Sequence, residues 1–72
     1  MVPGGLKTTD PGYENLNGQV VVRNTDRRGT DHQQYVYELR CRDCGHIYGA
    51  NGSDIHERKC PNCQGGRPGL PL

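Results

Sequence analysis

The chain has 72 residues and a formal net charge of +1, with nine basic and eight acidic side chains and neither phenylalanine nor tryptophan. Its twelve leucine, isoleucine and valine residues are too few for an ordinary hydrophobic core, so a domain this small needs disulfides or a metal ion. The same composition argues against a large enclosed pocket for a small-molecule substrate. It also argues against a membrane span of about 20 apolar residues and against a strong field that would attract polyanions.

The first segment, residues 1–18, is rich in glycine, proline and asparagine and has no period of two or 3.6. We predict a flexible N-terminal arm that ends at Gly18. Residues 1–16 have neither the basic start nor the apolar stretch of a secretory signal. We therefore expect a cytoplasmic protein whose cysteines are kept reduced.

Two strands are predicted next. Residues 19–25 contain three consecutive valines, which suit a pleated, half-buried surface, and residues 26–31 form a polar loop. Residues 35–41 alternate between apolar and polar side chains, as a second strand does. We expect the two strands to form a hairpin whose core face carries Tyr35, Tyr37, Leu39 and Cys41, with Val36, Glu38 and Arg40 on the other face.

The segment before the second cysteine pair has two interpretations. Asn51-Gly52 is typical of a tight hairpin turn, because both residue types tolerate positive φ, and short strands at residues 49–50 and 53–59 would flank it. Alternatively, Ser53 caps one helical turn that runs through Glu57. We expect the hairpin. Residues 64–72 have no packing pattern, and we predict a flexible C-terminal tail.

The four cysteines form two C-x2-C pairs, Cys41 with Cys44 and Cys60 with Cys63, and 15 residues separate the pairs. This spacing is typical of a four-cysteine zinc site. Two intervening residues let a tight turn present both sulfurs to one ion, and two such turns complete a tetrahedron with Zn–S bonds of about 2.3 Å. Gly45 allows the positive φ that turns N–H groups towards the thiolates.

The motifs Cys41-Arg42-Asp43-Cys44-Gly45 and Cys60-Pro61-Asn62-Cys63 resemble the paired knuckles of zinc ribbons and rubredoxin-like proteins. The resemblance covers roughly residues 35–65. It implies a small metal-stabilised β-rich domain at residues 19–63, a zinc ribbon with an N-terminal β-hairpin and flexible termini, whose four cysteines share one ion. The chain departs from the family at Gln64, where a glycine is usual and where Gly65 comes one residue late.

The metal is expected to be zinc. Rubredoxin-type iron sites resemble this motif, but they usually have a longer connection and a core containing tryptophan and phenylalanine, which this chain lacks. A disulfide framework or a redox C-x2-C is less favoured, because an export signal and a βαβ unit are missing. Four thiolates leave no open coordination position, as in structural rather than catalytic zinc sites. We therefore expect no enzyme activity.

The three histidines are expected to be surface residues. His46 and His56 lie near the cysteines and are alternative ligands, but four thiolates already fill the site. His32 lies beside Asp31, yet adjacent strand residues point to opposite faces. We therefore expect no catalytic pair there.

The expected function is that of a small binding module. Zinc ribbons that resemble this chain often contact nucleic acid or act within nucleic-acid-processing assemblies. Arginine suits forked contacts with phosphate, and the candidate contacts are Arg27, Arg28, Arg42, Arg58 and Lys59. One alternative is a protein–protein adaptor that docks through a strand edge at residues 20–22 or 35–39; another is an iron electron carrier. The remaining interpretation of these cations is that they form a solvated surface, on which acidic neighbours offset their charge.

Overall fold

The computed structural model describes residues 7–28, 35–70 and 72. Its centre is a three-stranded antiparallel sheet in the order β1-β2-β3, formed by β1 (Gln19–Arg28), β2 (Tyr35–Cys41) and β3 (Ile47–Asn51). A short 3-10 helix, η1 (Gly52–Glu57), follows β3. The fold is therefore small and β-rich.

The predicted hairpin of β1 and β2 is confirmed, with antiparallel pairs from Gln19 opposite Cys41 to Arg28 opposite Tyr35. β1 continues three residues beyond its predicted end, because irregularities in the register let the chain stay paired. Asp26 takes a φ of 62° there, and its N–H donates to Asn24 Oδ1 at 2.8 Å. The end of the predicted 26–31 loop and His32 lie outside the described residues.

The predicted hairpin turn at Asn51-Gly52 is wrong. Asn51 ends β3 with an ordinary φ of −65°, and Gly52 begins η1. The alternative of one helical turn through Glu57 is closer, although the helix starts before Ser53 and Asn51 occupies the cap position. The helical turn is favoured over the hairpin because it places Ile55 in the core, where its side chain is fully buried.

The core cluster lies on one face of the sheet and contains Val21, Leu39, Tyr48, Ala50 and Ile55, with Tyr13 and Tyr37 packed against it. Two residues of β2 differ from their predicted environments. Tyr35 is exposed, because it lies at the first position of the strand opposite Arg28. Val36 is buried on the opposite face, because Gly49 has no side chain there; a Cβ at Gly49 would lie 2.8 Å from Val36 Cγ1.

The segment before β1 packs against the domain, which corrects the predicted boundary at Gly18. Gly12 and Tyr13 exchange backbone hydrogen bonds with Val21 at 2.8 Å each, and Glu14 bridges to Val20. Asn15 is buried. Local composition indicated an arm, but long-range hydrogen bonds hold these residues against β1.

The segment after Cys63 also returns to the sheet, so the predicted tail at residues 64–72 is packed as far as Leu70. Leu70 exchanges two backbone hydrogen bonds with Gly49, at 2.8 and 3.1 Å. This covers part of the β3 edge, while β2 is the central strand. β2 is therefore paired on both sides at residues 36–39, and residues 12–15 pair with β1 at residues 19–21, so these parts of the predicted docking edges are already occupied.

Within the residues that the structure describes, no helix combines the length and apolar character needed to cross a membrane.

Candidate metal centre

The structure brings the four cysteine sulfurs together at one end of the sheet. Cys41 ends β2, Cys44 lies in the turn before β3, and Cys60 and Cys63 lie in the loop after η1. Their Sγ atoms all lie within 4.8 Å of one another. The centre therefore joins a sheet turn to a loop that follows 15 residues later, and Cys41 and Cys60 face the core while Cys44 and Cys63 face outward.

The sulfur separations fit a single four-coordinate ion. Cys41 Sγ lies 3.6 Å from Cys63 Sγ, and Cys44 Sγ lies 3.5 Å from Cys60 Sγ. A tetrahedron with Zn–S bonds of about 2.3 Å has sulfurs about 3.8 Å apart, whereas a disulfide requires about 2.05 Å. All four cysteines are free. The set of donors and their spacing therefore suit a bound metal and not a disulfide.

The first knuckle, residues 41–46, is a tight turn closed by backbone hydrogen bonds. Gly45 N–H donates to the Cys41 carbonyl at 2.8 Å, and Cys41 N–H donates to the His46 carbonyl at 2.9 Å. Gly45 takes a φ of 78°, as its sequence position predicts. Burial raises the pKa of Cys41, but hydrogen bonds from the Cys44 N–H and the Gln19 side chain outweigh it and lower the pKa to about 6.

The second knuckle, residues 60–65, is closed by a different set of hydrogen bonds. The N–H groups of Asn62 and Cys63 point at Cys60 Sγ, at 3.3 and 3.4 Å. Gly65 takes the positive φ, 68°, so Gln64 needs no left-handed conformation. Instead Gln64 Oε1 accepts the Cys60 N–H at 2.7 Å. The departure at Gln64 is therefore accommodated by a side-chain hydrogen bond within the turn.

The two outward-facing thiols have opposite pKa shifts. The His46 N–H and the Asn62 side chain lower the pKa of Cys44, and Asn62 Nδ2 lies 3.7 Å from its sulfur. The pKa of Cys63 is raised, first by desolvation of its thiol and then by hydrogen bonds with Cys44 and Cys41. Repulsion among like charges makes a fourth thiolate unfavourable beside three others. A divalent cation at their centre would make the fourth thiolate favourable.

A layer of side-chain amides supports the sulfurs. Gln19 is fully buried; its Oε1 accepts the Tyr48 hydroxyl at 2.7 Å, and its Nε2 donates to the Asn17 carbonyl at 3.0 Å. Gln64 Nε2 donates to the same carbonyl at 2.8 Å. These amides tie the segment before β1 to both knuckles, as polar groups behind metal ligands commonly do.

Asn15 connects the same segment to the loop that leads to Cys60. Its Nδ2 donates to the carbonyls of Ile55 and Arg58 at 2.8 and 2.9 Å. Its Oδ1 accepts the N–H groups of Asn17 and Gln19 at 2.8 and 3.0 Å. Sequence reasoning missed Asn15 and Gln19. The available signal was the alternation of β1, which places Gln19 on the same face as Val21.

His46 and His56 lie outside the cluster. Among the described residues, the only group of metal-binding side chains that converges is the four cysteines. The His46 ring stacks on Tyr48 at 5.7 Å, with 15° between the ring planes. His56 is exposed beside Glu57.

The candidate contact cations do not form one group. Arg27 and Arg28 are exposed at the end of β1, and Lys59 is also exposed. Arg42 is exposed and pairs with Glu14 Oε2 at 3.0 Å. Arg58 is 5% exposed, so its prediction as a surface contact is wrong. Its guanidinium lies against Tyr48, 5.0 Å from the ring centroid.

Comparisons of this chain with protein-family models, with curated proteins and with solved structures give no match. The geometry of the four cysteines and the surface around them are therefore the features that indicate its function.

Proposed function

We propose that the four cysteines bind one Zn²⁺ ion in a structural site and that the chain is a small zinc-ribbon-like binding module. The convergence of all four sulfurs within 4.8 Å carries the proposal. The small core supports it: five buried residues form the central cluster, which is little burial for an independent domain. A closed metal site supplies free energy that such a core lacks.

The zinc has a structural role in this proposal. Four thiolates complete a tetrahedral shell, so no coordination position remains for a substrate or a catalytic water. Zinc ligation also lowers the formal net charge from +1 to about −1, because four thiolates outweigh one divalent ion. The function is therefore assigned to the surface that the metal holds in place, and not to the metal.

The proposed partner of that surface is nucleic acid. By register, Arg23, Arg27 and Arg40 lie on the sheet face opposite the core cluster. Arg23 pairs with Glu38 at 2.9 Å; among the described residues no carboxylate pairs with Arg27, Arg28 or Arg40. Exposed guanidinium groups on one face of a sheet are suited to phosphate oxygens.

The metal is tested by elemental analysis of the purified native protein. One zinc per chain and a colourless protein are expected. A red protein with visible absorbance and one iron per chain would instead support the electron-carrier alternative.

Nucleic-acid binding is tested by fluorescence anisotropy with labelled single- and double-stranded DNA and RNA over a range of salt concentrations. We expect an affinity that falls with salt, with a slope set by a few phosphate contacts. The double variant Arg27→Gln/Arg40→Gln should weaken binding and reduce that slope. Arg67→Gln is the matched control, because Arg67 is already paired with Asp54. No binding to any probe at low salt contradicts this part of the proposal.

A further inference from the structure

Arg58 has a buried positive charge without a matching carboxylate. The residue is 5% exposed, and among the described residues none of the ion pairs includes it. A buried, uncompensated charge is unfavourable because it loses its hydration. Some other feature of the molecule must therefore offset it.

The direct contacts of the guanidinium are neutral. It lies 5.0 Å from the centroid of the Tyr48 ring, and its Nη2 donates to the Arg67 carbonyl at 2.8 Å. Its Nε is buried without a hydrogen-bond partner in the structure. A cation over an aromatic ring is stabilised, but no negative charge balances it at these contacts.

Both the chain that follows Arg58 and the hydrogen bonds of Tyr48 lead to the cysteine cluster. Arg58 precedes Cys60 by two residues. On the other side, Tyr48 donates its hydroxyl to Gln19 Oε1 at 2.7 Å, and the Gln19 side chain hydrogen-bonds to Cys41. Arg58 and the charges of Cys60 and Cys41 act on the same Tyr48 phenol, in opposite directions. The guanidinium is therefore one aromatic ring and one amide away from a metal ligand.

We propose that Arg58 is the counter-cation of the metal centre. Four thiolates and one divalent ion carry a net charge of about −2, and a positive charge held in the same low-dielectric interior offsets part of it. Arg58 touches neither the metal nor a substrate, so it is a positioning residue that acts through charge. This inference rests on the proposed metal site.

The test compares Arg58→Met with Arg58→Lys. Both variants lose the planar guanidinium and its bond to Arg67, but only Arg58→Met loses the charge. The backbone carbonyl of Arg58 keeps its bonds to Asn15 and Asn17 in either variant. Arg42→Met is the matched control, because Arg42 follows Cys41 directly but is exposed and paired with Glu14. Zinc affinity is measured by chelator competition at one pH and at two salt concentrations.

We expect Arg58→Met to weaken zinc binding by about tenfold or more at both salt concentrations, because a buried charge is poorly screened. Arg58→Lys should retain most of the affinity, and Arg42→Met should change it by less than about twofold. The second readout is the thiolate-to-metal charge-transfer band of the Co²⁺-substituted protein. This band should move to lower energy in Arg58→Met and stay in place in Arg58→Lys, a shift that a purely structural role would not produce.

Equal loss of affinity in both variants, with an unmoved band, overturns the proposal and assigns Arg58 a packing role. Unchanged affinity in Arg58→Met overturns it as well. If Arg58→Met does not fold at saturating zinc, the neutral polar variant Arg58→Gln takes its place with the same expected results. A wild-type chain that binds no zinc or cobalt refutes the metal site itself, and that titration is separate from every Arg58 variant.

Discussion

Gln64 Oε1 accepts the backbone N–H of Cys60 at 2.7 Å, so a side chain closes the second knuckle from within. The same side chain donates through Nε2 to the Asn17 carbonyl at 2.8 Å. Gln64 therefore links Cys60 to the turn before β1. Its amide has a role that a glycine at this position could not fill.

Replacing Gln64 with alanine should destabilise the zinc-loaded domain by about 1–3 kcal/mol, because the Cys60 N–H and the Asn17 carbonyl both lose a partner in a part-buried site. Urea unfolding of the zinc-loaded protein measures the change. Arg28→Ala, at an exposed position on β1, is the control and should have little effect. Equal stability of Gln64→Ala and the wild type would show that the amide is not needed.

Residue patterns in the sequence correctly predict the second strand, the cysteine cluster and the conformation of Gly45. Alternation predicted β2 with the bounds that the structure has, and the spacing of the two C-x2-C pairs predicted which sulfurs converge. Gly45 has the predicted positive φ. The strand and the glycine are signalled within a few residues, and the cysteines by a known spacing of two pairs, so a single sequence contains all three signals.

The remaining features depend on contacts between distant residues. Asn15 bonds to the carbonyl of Arg58, 43 residues away, and nothing near Asn15 in the sequence indicates that partner. Asn51-Gly52 carries a strong turn signal, but burial of Ile55 decides the local conformation. The position of Arg58 beside the second cysteine pair predicts a contact with phosphate, whereas Tyr48 and the Arg67 carbonyl hold its side chain inside.

Asn15→Ala should cost at least about 2 kcal/mol of unfolding free energy, because it removes the hydrogen bonds of the Asn15 side chain to two carbonyls and two N–H groups. Asn15→Asp keeps the acceptor but turns an oxygen towards both carbonyls, so it should be at least as damaging. Asn24→Ala is the control, since Asn24 is exposed and accepts a local N–H from Asp26. A loss as small in Asn15→Ala as in Asn24→Ala would contradict the role assigned to Asn15.

Two glycines should respond to alanine for different reasons. At Gly45 a Cβ would meet nothing within 4 Å, but φ is 78°, so Gly45→Ala should cost about 1–2 kcal/mol of conformational strain. At Gly66 a Cβ would overlap the Lys59 carbonyl, and the backbone would have to move. We expect Gly66→Ala to be the more destabilising variant in thermal unfolding of the zinc-loaded protein, and the reverse order would contradict this packing.

The raised pKa of Tyr48 predicts that the stability of the domain falls at alkaline pH. Burial raises its pKa from 10.0 to about 12, so the folded state holds the phenolic proton more tightly than the unfolded state. The resulting stability is fully present below pH 10 and is lost as the pH rises from 10 to about 12. Tyr48→Phe removes this titration but leaves Gln19 Oε1 without the hydroxyl. The variant should therefore be less stable at pH 8, and its deficit should shrink between pH 10 and 12. A constant deficit in urea unfolding across that range would show that Tyr48 does not titrate as expected.

Removal of the metal should unfold most of the domain. The central cluster has one leucine, one isoleucine, one valine, one tyrosine and one alanine, and zinc binding in small finger peptides contributes on the order of 10 kcal/mol. A strong chelator with a thiol reductant should abolish the β-sheet circular dichroism and collapse the dispersion of proton chemical shifts. Added zinc should restore both, whereas added magnesium should not, because thiolates are poor ligands for that ion. A reduced, metal-free chain that keeps its full shift dispersion would show that the hydrogen-bonded amides and the core suffice without the ion.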